Sequence, residues 1–241
     1  MVKKFFISLL FLLMLNGCGL TPFGEIMSVS DINNLPKFVK NDFVNLNMID
    51  KISKFRSGAG HDFSDGFESN RSMKHYYNPY VKYCGDDHTV KVFSPVDGVI
   101  STIWKEEDGR KNDWQIHIVP TGYSYVTIRL FHINTHAKVG DYVRAGQFLG
   151  FANMSPTPMD SAHGATYSPS FDIAVEVVTR NGVHLVSYFE IMTDSLFSTY
   201  QTRGLTDRSE LIISKEWRDT HPVDWNNPQE SDWVVLSPVI P

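Results

Sequence analysis

From Val90 to Val178 the chain is dense in strand-like runs, the clearest of which alternate apolar and polar residues with a period of two. Trp114-Gln115-Ile116-His117-Ile118-Val119 is the clearest run. Successive side chains of a strand face opposite sides, so a half-buried strand shows this alternation. Tyr125 to Phe131 repeats it and delivers His132 at its end. Val90 to Phe93 leads into Pro95-Val96-Asp97-Gly98-Val99-Ile100, where Asp97-Gly98 signals a turn or bulge between β-branched runs. Lys138 to Gly150 reads as two short strands bent at glycines, Phe171 to Val178 as another strand, and Asn181-Gly182 as a hairpin turn. Short strands at close spacing, with hardly any helix between them, predict an all-β sandwich or barrel. Val186 to Ser198 has helical spacing and is expected to cap one end. The tail from Gln201, with Trp217, Trp225 and Trp233, is expected to wrap the domain.

The first residues obey a different logic. Lys3 and Lys4 precede an apolar run from Phe5 to Leu15, then Leu15-Asn16-Gly17-Cys18. That run is too short to span a bilayer, which takes roughly 20 apolar residues. Residues 1–17 therefore read as a signal peptide ending in a bacterial lipobox, with Cys18 lipidated as the mature N-terminus. Acyl chains there would anchor the protein in a membrane. Gly19 lacks the acidic character of an inner-membrane retention signal. The expected location is the cell envelope, at an outer membrane and facing the periplasm. Residues 18–54 mix Asn, Asp, Lys and apolar residues and read as a tether with a docking segment.

Composition narrows the class. A chain of 241 residues with 42% hydrophobic and 20% charged residues is ordinary for a globular protein. A net charge of −5 offers no broad basic surface and argues against a nucleic-acid partner. Beyond Cys18 only Cys84 remains, so no intramolecular disulfide framework exists.

The candidate chemistry starts at residues 56–66, Arg-Ser-Gly-Ala-Gly-His-Asp-Phe-Ser-Asp-Gly. Gly58, Gly60 and Gly66 oppose a helix, each costing about 1 kcal/mol there. His61 and Asp65 thus sit on a turn or irregular strand, where an imidazole and a carboxylate can converge. Those are two ligands of the kind a catalytic zinc uses, beside a third ligand and an open water position. A plain surface loop explains the same residues, and the motif alone does not decide between the two.

Joined to pieces further along the sequence, this stretch makes the chain resemble the lysostaphin/LytM-type zinc metallopeptidases, which cut peptide crosslinks of bacterial cell walls. The pieces that carry the resemblance are His61 with Asp65, Val92 to Val99, Phe131-His132, and Val139 to Gly150 in that order. The resemblance implies a mostly-β duplicated hybrid motif domain, a LytM-like β-sandwich or barrel with short helical appendages. It spans residues 55–193, with 67–87 as an insertion and 194–241 as a C-terminal extension. It also implies zinc held by His61 and Asp65, with His132 facing the groove.

One departure bears on activity. Where the family closes its site with His-x-His on a strand, this chain has Asp172-Ile173-Ala174. Ala174 stands where the resemblance puts the third zinc ligand, and Asp172 where it puts a catalytic histidine. The two are two strand rises apart, about 6.6 Å, against a zinc–oxygen bond of about 2 Å. Asp172 therefore cannot serve as the missing ligand in place, although it can hold a water as a general base. His163, on the Pro/Ser/Gly loop before that strand, and His136 are the candidates to repair the set. His75, His88, His117, His184 and His221 have no partner spacing of that kind.

Two functional readings compete. One is a lipid-anchored zinc endopeptidase acting on peptidoglycan, with His61, Asp65 and His163 on the metal and His132 and Asp172 assisting. The other is a non-catalytic module of the same shape that binds wall peptides or a partner hydrolase.

Overall fold

The computed structural model describes residues 29–85, 88–227 and 229–238, with the side chains of 29–31, Met159 and Asp160 left aside. The expected leader and Cys18 lie outside these residues. Eleven strands join in one mostly antiparallel sheet. They are β1 (Ile49–Ser53), β2 (His75–Pro79), β3 (Lys91–Phe93), β4 (Gly98–Lys105), β5 (Trp114–Pro120) and β6 (Val126–Thr135). The rest are β7 (Tyr142–Val143), β8 (Phe148–Ala152), β9 (Phe171–Thr179), β10 (Gly182–Val186) and β11 (Trp233–Val235). Helices α1 (Pro158–Ala162), α2 (Asp194–Gln201) and α3 (Lys215–Thr220) are short. No helix of the described residues is long and apolar enough to cross a membrane.

The main strand order is β11-β1-β2-β9-β6-β5-β4-β7. It branches twice: β9 pairs β2 through its first half and β10 through its second, and β8 joins the far end of β6 and carries β3. A sheet that branches in this way curls, and the inner face encloses one large apolar core. Ile116, Ile118, Ile128, Leu130, Ile173 and Val175 supply its centre from adjacent strands. These are the apolar positions of the period-two alternation. The hairpin at Asn181-Gly182 joins β9 to β10 as expected.

Residues 67–87, expected as an insertion, contribute β2, which runs between β1 and β9 with Tyr76 and Tyr77 buried. The sheet does not stop at 55 or 193, since β1 and β11 pair with each other. Helix α2 begins only at Asp194, where the Thr193 side chain accepts from Leu196 N–H and caps it. Residues ahead of it complete β10 and a turn, so the helical spacing from Val186 was misleading.

One irregularity positions the site. Between Trp114 and Ile116 the β5–β6 register shifts, so that Phe131 and His132 both face Gln115. This is a β-bulge, which re-aims side chains. His132 takes a left-handed φ of 59° there, an uncommon and strained conformation for a residue other than glycine.

Candidate functional site

Asp172, Ala174 and Glu176 share the outer face of β9, away from the large core. The β2–β9 register sets Tyr76 across from Asp172 and His75 across from Ile173. Continuing it puts Lys74 across from Ala174, whose methyl group leaves room for a long neighbour. The Lys74 ammonium lies 2.7 Å from Asp172 Oδ2, an ion pair whose geometry is not that of an aligned hydrogen bond. Lys74 is only 3% exposed and Asp172 fully buried. Its ammonium also faces the rings of Phe131 at 4.2 Å, Phe63 at 4.5 Å and Tyr76 at 5.2 Å, so the rings add cation–π attraction. Burial, and secondly the Asp172 charge, push the Tyr76 phenol well above its ordinary range.

His132 continues the chain of charge. Its Nδ1 lies 2.8 Å from Asp113 Oδ2, while its Nε2 lies 3.6 Å from Asp172 Oδ1. Burial works against protonation of His132, but the hydrogen bond to Asp113 and the charge of Asp172 outweigh it and hold the pKa above the ordinary value. Asp113 is fully buried and reaches Arg110 Nε at 3.5 Å. Arg110 also binds Asp108 at 2.7 Å and donates to the Asn153 carbonyl at 2.9 Å. Desolvation would raise the Asp108 pKa, but the hydrogen bonds and charge of Arg110 bring it below normal.

His61 and Asp65, the residues expected on zinc, are engaged by other groups of the chain. His61 is exposed; its Nδ1 donates to the Asp62 carbonyl, and its Nε2 lies 3.4 Å from the Lys74 ammonium. Asp65 is engaged by backbone: Oδ1 accepts from Phe67 and Glu68 N–H, and Oδ2 from Leu185 N–H at 2.9 Å. Ala174 belongs to a small apolar cluster with Phe55, Met73, Phe131 and Leu185. His163 is exposed just beyond α1, and His136 lines a separate cavity of about 250 Å³ with His88 and Phe148. The structure does bring His132 and Asp172 together.

Among the described residues, one group of three could hold a metal by spacing: Asp108, Asp113 and His132, with ligand atoms within 4.8 Å of one another. It contains neither His61, Asp65 nor His163. Sequence reasoning missed Lys74, Asp108, Arg110 and Asp113. A fully buried aspartate on β9 demanded a cationic partner, but only strand pairing could say that Lys74 supplies it.

No family model matches this chain, and no curated protein matches it. Among solved structures it is similar to lysostaphin, at 15% identity and a TM-score of 0.38, over 60% of this chain and 51% of that one. It is similar to a glycyl-glycine endopeptidase lytM structure from Ruminococcus gnavus, at 18% identity and a TM-score of 0.35, over 48% and 44%. It is also similar to a chain of the SpoIIQ–SpoIIIAH pore-forming complex, at 11% identity and a TM-score of 0.44, over 68% and 97%. The match spans about half the length of the lysostaphin chain.

Proposed function

We propose that this chain is a cell-envelope recognition module with a LytM-like groove, which binds peptides of the wall or of a partner hydrolase without zinc. One observation carries the reading: the charged cluster neutralises itself. With His132 protonated, three cations (Lys74, Arg110, His132) face three carboxylates (Asp172, Asp113, Asp108). A catalytic zinc wants three protein ligands and an open position, and these residues do not fit it. Asp65 is spent on amides, Ala174 offers no donor atom, and an ammonium lies between His61 and Asp172. A cation at Asp108, Asp113 and His132 would have to displace the Arg110 guanidinium from both carboxylates.

What remains chemically is binding and proton holding. Asp113 fixes a proton on Nδ1 of His132, and the charge of Asp172 favours a second on Nε2, so the two carboxylates strengthen the imidazole's hold on protons. Trp104, Arg129, Gln115 and Glu176 leave an open polar and aromatic floor beside it, with Arg129 bonded to both Glu176 and Gln115. The lipobox at Cys18 supports tethering to an envelope membrane, and fatty-acid labelling lost in Cys18→Ser is its check.

The test is co-sedimentation of the purified chain with peptidoglycan sacculi, with and without a chelator, alongside assay of released fragments. The reading expects chelator-insensitive binding and no release. Release of peptide fragments that stops on chelation would overturn it, and no binding to sacculi would leave the partner hydrolase as the module's target.

A further inference from the structure

A buried ion pair recovers its lost hydration only when further hydrogen bonds satisfy both charges. Lys74 and Asp172 lack that support. Among the described residues, neither oxygen of Asp172 accepts a hydrogen bond, although the carboxylate is closed off from water. The Lys74 nitrogen stands 2.7 Å from Oδ2 without an aligned hydrogen bond to it. Its other neighbours include the rings of Phe131 and Phe63, at 4.2 and 4.5 Å. So dry a site favours the neutral forms of both groups, an amine and a carboxylic acid. In those forms they are a nucleophile and an electrophile in contact.

A histidine stands at each end of the pair. His61 gives its Nδ1 proton to the Asp62 carbonyl, so its Nε2 keeps a lone pair, 3.4 Å from the Lys74 nitrogen. His61 is exposed and exchanges protons with solvent. His132 holds Nδ1 against Asp113 and brings Nε2 to 3.6 Å from Asp172 Oδ1. One imidazole is placed to take a proton from the nitrogen and the other to give one to the oxygen. Amide formation asks for that base and that acid.

We propose that Lys74 and Asp172 condense to an isopeptide bond, a covalent crosslink between the start of β2 and the start of β9. The Lys74 nitrogen bonds to Cγ of Asp172, and the Cγ–Oδ1 bond breaks. The ammonium gives up two protons, which leave with Oδ1 as one water, and the amide nitrogen keeps the third. Atoms and charge balance without an oxidant, a nucleotide or a metal. Holding the two groups in contact supplies the high effective concentration such a step needs, and burial keeps water from reversing it. The chain folds with the ion pair and condenses from it slowly. One cation and one carboxylate then disappear together, so the cluster stays balanced. The crosslink is therefore independent of what the groove binds.

The test keeps the purified full chain folded in detergent at neutral pH for several days. Samples are denatured, digested with trypsin and mapped by mass. Trypsin does not cut after a lysine whose nitrogen is in an amide. The expected product is residues 72–82, uncut after Lys74, joined to residues 145–180, at the sum of their masses less one water. It should grow with time in wild type and be absent from Lys74→Arg. Free 145–180 together with complete cutting after Lys74 at every time point would overturn the proposal. If Lys74→Arg does not fold, fragmentation of the joined wild-type peptide decides. A link placed between Lys74 and Asp172 supports the proposal, and one placed at Asp160 or Glu176 would overturn it.

Discussion

The Lys74 ammonium stands 2.7 Å from a carboxylate oxygen of Asp172, and both side chains are closed off from water. Removing one partner of a buried ion pair leaves an uncompensated charge and costs about 3–5 kcal/mol. Lys74→Met should therefore destabilise the chain by that order in urea unfolding. Lys74→Met with Asp172→Leu should recover most of the loss, because apolar pairs often replace buried ions without penalty. Additive losses would show that the two residues do not act as a pair.

His132 lies between two carboxylates, and its protonation should report on both. The wild-type imidazole should titrate above the ordinary histidine value, despite burial, because of Asp113 and Asp172. Asp113→Asn should move the NMR-detected midpoint downward, and Asp172→Asn should do so as well. A midpoint indifferent to both variants would remove the electrostatic account of the site.

Asp42 gives a pH dependence away from the groove. Burial raises its pKa to about 7, against the Tyr200 hydroxyl and the amides of Phe43 and Val44, which lower it. The Tyr200 hydroxyl donates to it at 2.5 Å, and Tyr77 lies 3.1 Å from Tyr200. A carboxyl with a raised folded pKa binds its proton more tightly when folded. Its stabilising contribution is full below its ordinary value of 3.8 and is lost as pH rises to about 7. Every tenfold gain in proton affinity on folding is worth about 1.4 kcal/mol, so Asp42→Asn should gain melting temperature over wild type progressively from pH 4 to pH 7. A wild-type–variant difference that is flat in pH would contradict this.

Much of the fold was legible because strand alternation is a local signal. The runs Trp114–Val119 and Phe171–Val178 expose their core faces to anyone counting by twos, and Asn181-Gly182 marks its own turn. β2 was not legible: His75-Tyr76-Tyr77 is buried on both faces, so it shows no alternation and looks like an aromatic insertion. The site divides the same way. His132 and Asp172 lie on strands whose order the motif pieces set, and the structure joins them. Asp65 resembled a ligand, yet its partner is an amide 120 residues away. Lys74 meets Asp172 only through β2–β9 pairing, a long-range register that no short motif contains.

The proposed function turns on the Lys74 ammonium, rather than a metal, lying against Asp172. The decisive measurement is zinc titration of the purified, chelator-treated chain, read by bound-metal analysis and thermal melting. Far less than one zinc per chain and no rise in melting temperature are expected. Ala174→His alone should gain no zinc and lose about 1–3 kcal/mol from overpacking beside Phe131. One tightly bound zinc per chain that raises the melting temperature and is lost in His61→Ala would contradict the proposed function.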